Sequence, residues 1–366
     1  MGKKDIHVIY GCQARGMVKN LLAKMQLAEQ LQPDMKIALK PNLVVARPAA
    51  EGATTSPQLV AGIIEYLQEH GMRHICIMEG SWVGDDTRRA FAVCGYEELS
   101  QKYGVPLYDL KTDRSVVKKV GEMELRLCQK PVETDFLINL PVLKAHCQTA
   151  MTCALKNLKG CLPDSEKRRF HSLGLQKPIG YLGKALPVGL TIVDALNGDL
   201  TFEEGGNPVA MDRIFAGEDP VLLDAYAAEL LGYAASDIPY IGIAESLGAG
   251  KADLSQAIVH EYETERKKEG QFRPSRQAQR LAKNIEAKEA CSACYGSLIH
   301  ALQRLSEEGT LQRLPGTLHI GQGFRGQAGQ GIGIGQCASG FSTPLPGCPP
   351  TARNMVAFLT QQLRRK

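Results

Sequence analysis

Lys36-Ile37-Ala38-Leu39-Lys40-Pro41-Asn42-Leu43 is followed by Thr54-Thr55-Ser56-Pro57, by Leu59, Ile63, Ile64 and Leu67 at helical spacing, by Gly71, and by His74-Ile75-Cys76-Ile77-Met78. Two apolar runs of strand length with an amphipathic helix between them make a βα unit, and such units build sheets of largely parallel strands. The helix has clear limits: Ser56 reads as its N-cap, Pro57 as its first residue and Gly71 as its stop. The same alternation extends from residue 1 to about 250, with further strands expected at 6–10, 136–140, 190–193 and 213–216. Gly217-Glu218-Asp219-Pro220 repeats the start signal, with Asp219 capping a helix that carries Leu222, Leu223, Ala227, Leu230 and Leu231 and ends at Gly232. The expected fold class is α/β, a largely parallel sheet flanked by helices, with a smaller C-terminal domain rich in cysteine and glycine.

Three segments follow from composition along the chain: an α/β domain over 1–250, a charged linker and helix over 251–290, and a terminal segment over 291–366. Apolar content falls and charge of both signs rises in the middle segment, where Arg273-Pro274-Ser275 reads as a connection. The last segment is expected to hold a helix over about 297–307, a strand at 318–320, a glycine-rich loop and a final helix over 350–362. No repeat of the solenoid kind is evident.

The chain has 366 residues, of which 44% are apolar and 22% charged, enough to bury a sizeable core. Its 43 Lys and Arg nearly balance 39 Asp and Glu, without a basic run and with one Trp, which argues against nucleic acid as partner. No stretch approaches the roughly 18–20 apolar residues of a membrane helix, and the run after Met1-Gly2-Lys3-Lys4-Asp5 is too short for a signal peptide. A cytoplasmic location is expected. Eleven cysteines in such a reducing compartment point to metal binding or reactivity, not to disulfides.

Cys291-Ser292-Ala293-Cys294, Gly335-Gln336-Cys337 and Gly347-Cys348-Pro349-Pro350 carry the strongest chemical signal. A cubane cluster needs four thiolates converging on one site; a C-x-x-C turn supplies two, and glycines let backbone amides approach the sulfides. Four-thiolate zinc also uses C-x-x-C, and lone cysteines are often small buried hydrophobes. The ten residues between Cys337 and Cys348 do not form a second zinc knuckle, so the spacing favours a [4Fe-4S] cluster on Cys291, Cys294, Cys337 and Cys348. Gly321-Gln322-Gly323-Phe324-Arg325-Gly326 matches the dinucleotide fingerprint formally, but glycines continue where a helix should open, so the loop reads as wrapping the cluster.

A second constellation runs through Asn139-Leu140-Pro141-Val142-Leu143-Lys144-Ala145-His146 to Thr152, Lys156, Asn157, Lys159 and Gly160. Lys40-Pro41-Asn42 and Glu79-Gly80-Ser81 close other strands with polar triplets, and strand C-termini are where α/β proteins place ligands. One shared cleft is expected, with Lys40, Lys144 and His146 as catalytic candidates and Asn42, Lys156, Asn157 and Lys159 binding a small anionic substrate. Solvated lysines and a capping histidine are the plain alternative. Asp194 and Glu203-Glu204 read as a cation site or, slightly better, as turn residues; Cys147, Cys153 and Cys161 read as core or reactive thiols.

The series Lys40-Pro41-Asn42, Thr55-Ser56-Pro57, Asn139-Leu140-Pro141 with Lys144 and His146, Ala154-Leu155-Lys156-Asn157-Leu158-Lys159-Gly160, Val193-Asp194, Gly206-Asn207-Pro208 and Gly217-Glu218-Asp219-Pro220-Val221 with Asp224 resembles the prokaryotic family called domain of unknown function 362. The resemblance covers about residues 36–250. It implies an iron–sulfur protein, since members often carry ferredoxin-like cluster segments. This chain departs from the ferredoxin pattern, its four ligand candidates spreading over 58 residues. Gly347-Cys348-Pro349-Pro350 is separately similar to a cluster-ligating element in the small subunits of hydrogenases and of respiratory complex I. The sequence therefore reads as an iron–sulfur oxidoreductase that takes electrons from a redox partner such as ferredoxin. A non-redox lyase or isomerase using the cluster as Lewis acid or structural element, and a non-catalytic cluster carrier, stay open beside it.

Overall fold

The computed structural model describes residues 2–263, 272–275 and 277–364, which form two compact units. The first comprises Met1–Lys167 and Gln176–Pro274, the second Arg168–Leu175 and Ser275–Lys366.

Strands β1 (Asp5–Tyr10), β2 (Lys36–Pro41), β3 (His74–Glu79) and β4 (Leu107–Asp109) open the first unit, followed by a separate hairpin of β5 (Ser115–Val120) and β6 (Met123–Cys128). Then come β7 (Phe136–Leu140), a small hairpin of β8 (Lys144–His146) and β9 (Ala150–Thr152), and the long β10 (Val188–Asp199), β11 (Pro208–Gly217) and β12 (Ile258–Glu263). Eight of them form one sheet in the order β12-β1-β11-β10-β7-β2-β3-β4. All neighbours are parallel except at β11, which runs antiparallel to both β1 and β10. The expected α/β class with a largely parallel sheet and flanking helices is the observed one.

The helix Pro57–Glu69 begins and ends where its sequence signals lie, although Ser56 caps nothing with its side chain and instead donates its backbone N–H to Asp194 Oδ2 at 2.8 Å. Asp219 does cap Pro220–Leu230, its Oδ1 accepting from Val221 N and Leu222 N. On one face of the sheet, Leu21, Leu22, Ile63, Ile64, Leu67 and Phe91 bury against Leu39, Ile77 and Ile138. Burial of each such side chain contributes about 1.5–3 kcal/mol, so this face dominates the unit's stability. Strand β12 lies in the stretch read from sequence as a linker, where it pairs along the whole of β1. The rest of that expected linker falls partly on residues 264–271 and 276, outside the described residues.

In the second unit, β13 (Ile285–Ala287), β14 (Leu318–Ile320), β15 (Gly329–Ile334) and β16 (Phe341–Leu345) form an all-parallel sheet in chain order. The helix Ser292–Glu307 starts inside the C-x-x-C, five residues earlier than expected, and Ala352–Arg364 follows the last strand. The glycine-rich stretch is not a single loop, because β15 lies within it. Leu318 pairs with Ile332, His319 with Gly333 and Ile320 with Ile334, a constant offset of 14 residues. The same offset carries Gly321-Gln322 onto Gly335-Gln336. Both glycines have positive φ, +123° and +87°, and both lead into a short 3-10 turn, so the two segments are successive rungs of one repeat. Only glycine fits at Gly321, where a Cβ would meet Lys288 O at 1.9 Å. Two rungs of this kind are fewer than the three or more that a solenoid needs.

Candidate functional site

The rung geometry brings three of the four cluster candidates to the C-terminal ends of parallel strands. Cys291 follows β13, Cys337 follows β15 in the turn after Gly335, and Cys348 follows β16; Cys294 joins them from the first turn of the helix Ser292–Glu307. Burial, and then the neighbouring Cys291, Cys337 and Cys348, push the Cys294 thiol up to about 12. Gly335 is glycine for a spatial reason as well, since a Cβ there would lie 3.1 Å from Cys294 Sγ. Arg325, one rung back, donates from Nε to Cys337 Sγ at 3.3 Å. His171 Nε2 accepts from Ser292 N at 3.4 Å inside the C-x-x-C.

Among the described residues, the groups of three metal-ligand types whose donor atoms all lie within 4.8 Å of one another do not include these cysteines. A single tetrahedral zinc with Zn–S bonds of about 2.3 Å would draw its thiolates closer than that. Four sulfurs, the Arg325 guanidinium and Gly335 thus lie in one region of this unit.

In the first unit the expected single cleft resolves into two buried networks. In one, Lys40 at the end of β2 is fully buried, its Nζ donating to Glu79 Oε2 at 2.5 Å, to Pro41 O at 2.9 Å and to Asn157 Oδ1 at 3.4 Å. Asn157 Nδ2 donates to Asn139 Oδ1 at 2.9 Å, and Asn139 Nδ2 to Ala154 O at 2.8 Å. Asp224 closes the far side by accepting from Ala154 N and Leu155 N at 2.7 and 3.1 Å, which anchors the turn that carries Lys156 and Asn157. Gly160 packs on this ion pair so tightly that a Cβ would stand 1.9 Å from Glu79 Oε1 and 2.5 Å from Lys40 Nζ. With its three hydrogen bonds so committed, Lys40 holds strand ends together. Asn42 lies nearby, its backbone N–H donating to Thr55 Oγ1 at 2.8 Å.

The second network centres on Glu203. Asp199 folds the loop after β10 by accepting from Thr201 N, Phe202 N and Asn207 N, and Lys144 pins it by donating to Glu203 O at 2.9 Å and Ala53 O at 2.6 Å. The Glu203 side chain is thereby delivered to His146, whose Nε2 is in close contact with Glu203 Oε2, and to Lys156, whose Nζ is 3.8 Å away. Lys156 also donates to Thr152 Oγ1 at 3.1 Å and is 11% exposed, so it forms the network's outlet to solvent. Lys159 adds its positive charge toward His146.

The tautomer of His146 is fixed by its own hairpin. Gln148 N and Thr149 N both point at Nδ1, at 3.0 and 3.2 Å, so Nδ1 is an acceptor and the ring proton resides on Nε2, facing Glu203. Burial lowers His146 to about 4, keeping the ring neutral, while Glu203 stays ionised because His146, Lys156 and Lys144 outweigh the burial that opposes its charge. Burial also lowers Lys144 to about 7 and holds the Cys147 thiol well above its ordinary value. His146, Cys147 and Glu203 lie close enough to hold a metal ion, but a proton on Nε2 is incompatible with ligation there. The arrangement is a proton-bearing His–carboxylate pair with ammonium groups on its exposed side.

The sequence leaves Glu203 between a cation site and, slightly better, a turn, and brings the Lys40 and Glu79 triplets to one shared cleft without pairing the two side chains; it gives no link between Arg325 and Cys337. Two adjacent buried-side acids after a strand, Glu203-Glu204, were the signal for the first. A cavity of about 440 Å³ in the first unit, lined by Arg88, Tyr108, Asp109 and Lys130 among others, contains none of the expected site residues.

These features define an α/β protein with lysine-rich strand termini and a separate cysteine-bearing unit. The chain belongs to the family described as Domain of unknown function (DUF362), whose model matches residues 37–229, more than half of it. It is 28% identical over 244 residues to the thylakoid-associated protein sll1697 of Synechocystis sp., a match covering 63% of this chain and 74% of that one. Solved structures that resemble it include the lactate racemase apoprotein from Thermoanaerobacterium thermosaccharolyticum, at TM-score 0.42 and 14% identity, covering 61% of this chain and 56% of that one. A structural-genomics protein from Thermotoga maritima matches at TM-score 0.39 and 15% identity, covering 63% and 60%. The chain thus spans less than two thirds of the length of either solved structure. No helix among the described residues is long and apolar enough to cross a membrane.

Proposed function

We propose that this is an iron–sulfur redox protein of a reducing, cytoplasmic compartment, whose second unit holds one [4Fe-4S] cluster on Cys291, Cys294, Cys337 and Cys348. The observation that carries the reading is that Cys291, Cys337 and Cys348 each follow a parallel strand, with Cys294 beside them in the helix Ser292–Glu307 and Arg325 donating to Cys337. When bound, such a cluster supplies one-electron exchange with a partner such as ferredoxin. Arg325 stabilises negative charge on the sulfurs, and Gly335 leaves room for Cys294. In the first unit, Lys156 and Lys159 are the groups placed to bind a small anion, with the neutral His146 and the Glu203 carboxylate behind Lys156, and the Lys144 ammonium, which burial lowers to about 7, is the group whose proton is most readily released. Lys40, Asn42 and Asn157 hold that framework in place.

Iron and acid-labile sulfide assays with electron paramagnetic resonance on anaerobically purified protein test the reading. About four irons and four sulfides per chain with a signal on dithionite reduction are expected; zinc alone, or no metal in protein kept free of oxygen, would overturn it.

A further inference from the structure

Asp5 and His7 lie two apart on β1 and therefore on the same face of the sheet, and His260 on β12 is the direct pairing partner of His7. Their ligand atoms all lie within 4.8 Å of one another. The rings of His7 and His260 stack at 4.6 Å between centroids, and His260 Nε2 is 3.2 Å from Asp5 Oδ1. His7 is only 6% exposed, and among the described residues its Nε2 has no hydrogen-bond partner. Its other nitrogen, Nδ1, is 3.1 Å from the Tyr262 hydroxyl.

An orphaned, buried imidazole nitrogen is costly unless something fills its lone pair. With Nδ1 paired to Tyr262 Oη, Nε2 is the open nitrogen; in the tautomer that carries its proton on Nδ1 it offers a bare lone pair, the form that ligates, and the tyrosine supplies the outer hydrogen bond that orients metal-binding histidines. The contrast with His146, whose Nδ1 is occupied by two backbone donors, is direct. We propose that Asp5, His7 and His260 bind one divalent transition ion of the zinc type, which clips the edge strand β12 onto β1. Two imidazoles and one carboxylate are three ligands of a borderline ion's tetrahedral set, with water completing it. Because the ligands lie about 255 residues apart in sequence, at the first and last strands of the unit, the ion closes a very long loop, where a cross-link restrains the unfolded chain most. The proposal is independent of the cluster reading.

The test uses untagged, full-length protein with its cysteine site intact, titrated calorimetrically with Zn²⁺ alone and followed by thermal unfolding. Wild type is expected to bind one more zinc per chain than His260→Ala, and zinc is expected to raise its Tm by a shift that the variant loses. Asp5→Asn, at a position whose side chain is 19% exposed, gives the same comparison should His260→Ala fold poorly. Tyr262→Phe should keep the stoichiometry and weaken binding by about tenfold or more. With Co²⁺ as probe, the wild-type minus His260→Ala spectrum should show ligand-field bands without thiolate charge transfer. Equal zinc stoichiometry in wild type and both ligand variants, or a difference spectrum carrying thiolate charge transfer, would overturn the assignment and leave a simple His260–Asp5 hydrogen bond.

Discussion

Lys40→Met removes the cation from an ion pair in which Lys40 is 0% and Glu79 3% exposed. The Glu79 carboxylate is then left in the interior with Lys167 as the neighbouring cation, and that ammonium is already engaged by Gly80 O and Ser81 O at 3.0 and 2.8 Å. Removing one partner of a buried pair costs about 3–5 kcal/mol, because the remaining charge keeps its desolvation penalty and loses its compensation. Removing both, as Lys40→Met/Glu79→Leu, eliminates that charge and leaves chiefly Pro41 O and Gly80 N without partners, about 1–2 kcal/mol each. The double variant is thus expected to be more stable than Lys40→Met by about 1–3 kcal/mol. Urea unfolding followed by far-UV circular dichroism, with a shared m value, measures this. A loss below about 1 kcal/mol for Lys40→Met, or a double variant as unstable as the sum of the single ones, would refute the account of Lys40 as a buried structural charge.

Gly160→Ala drives a methyl into the same pair and is expected to destabilise by about 1–3 kcal/mol, read in the same unfolding assay. Burial raises Asp224 to about 7, so between about pH 4 and 7 the folded protein holds a proton that the unfolded chain has released, and stability falls as pH rises through that window. Asp224→Asn should flatten this slope by up to about 1.4 kcal/mol per pH unit, and an unchanged slope would exclude Asp224 as its source. Arg325→Ala should lower the cluster's reduction potential, since a donor that favours the more negative reduced state is gone; spectroelectrochemistry decides the direction. Iodoacetamide should modify Cys147 far more slowly than a free thiol at neutral pH, because the group stays protonated, and mass mapping after a short pulse checks it.

Much of the first unit could be read from residues alone because its signals are local. Apolar runs that end in Lys40-Pro41-Asn42 or Asn139-Leu140-Pro141 mark strand ends, and Asp219-Pro220 marks a helix start, whatever surrounds them. The partner of each buried charge could not be read, since Glu79 meets Lys40 only because β3 lies next to β2, a matter of strand order. The reversed direction of β11 could not be read, since the expected strands at 190–193 and 213–216 leave 19 residues between them, and only the observed reach of β10 to Asp199 and of β11 from Pro208 shortens the connection to residues 200–207, too few for a crossover helix. Strand β12 was missed because an edge strand alternating Ile258, His260 and Tyr262 with Val259, Glu261 and Glu263 lacks the apolar continuity of its interior neighbours. The four cysteines could be picked out by spacing, but that Cys291, Cys337 and Cys348 each follow a strand of one parallel sheet depends on a strand order and register that spacing does not report.

The order of the large sheet also bears on solubility. The family match ends at residue 229 and begins at 37, so β1 and β12 both lie outside it, and they are the strands that cover β11. Without them the ten-residue β11 would present a row of unpaired amides and carbonyls to any other chain, the template on which sheets grow between molecules. The finished sheet instead terminates in three-residue β4 on one side and in β12 on the other, where His260, Glu261 and Glu263 interrupt the exposed Ile258 and Val259. A chain shortened before residue 258 would expose β1 in the same way, and its first symptom would be precipitation.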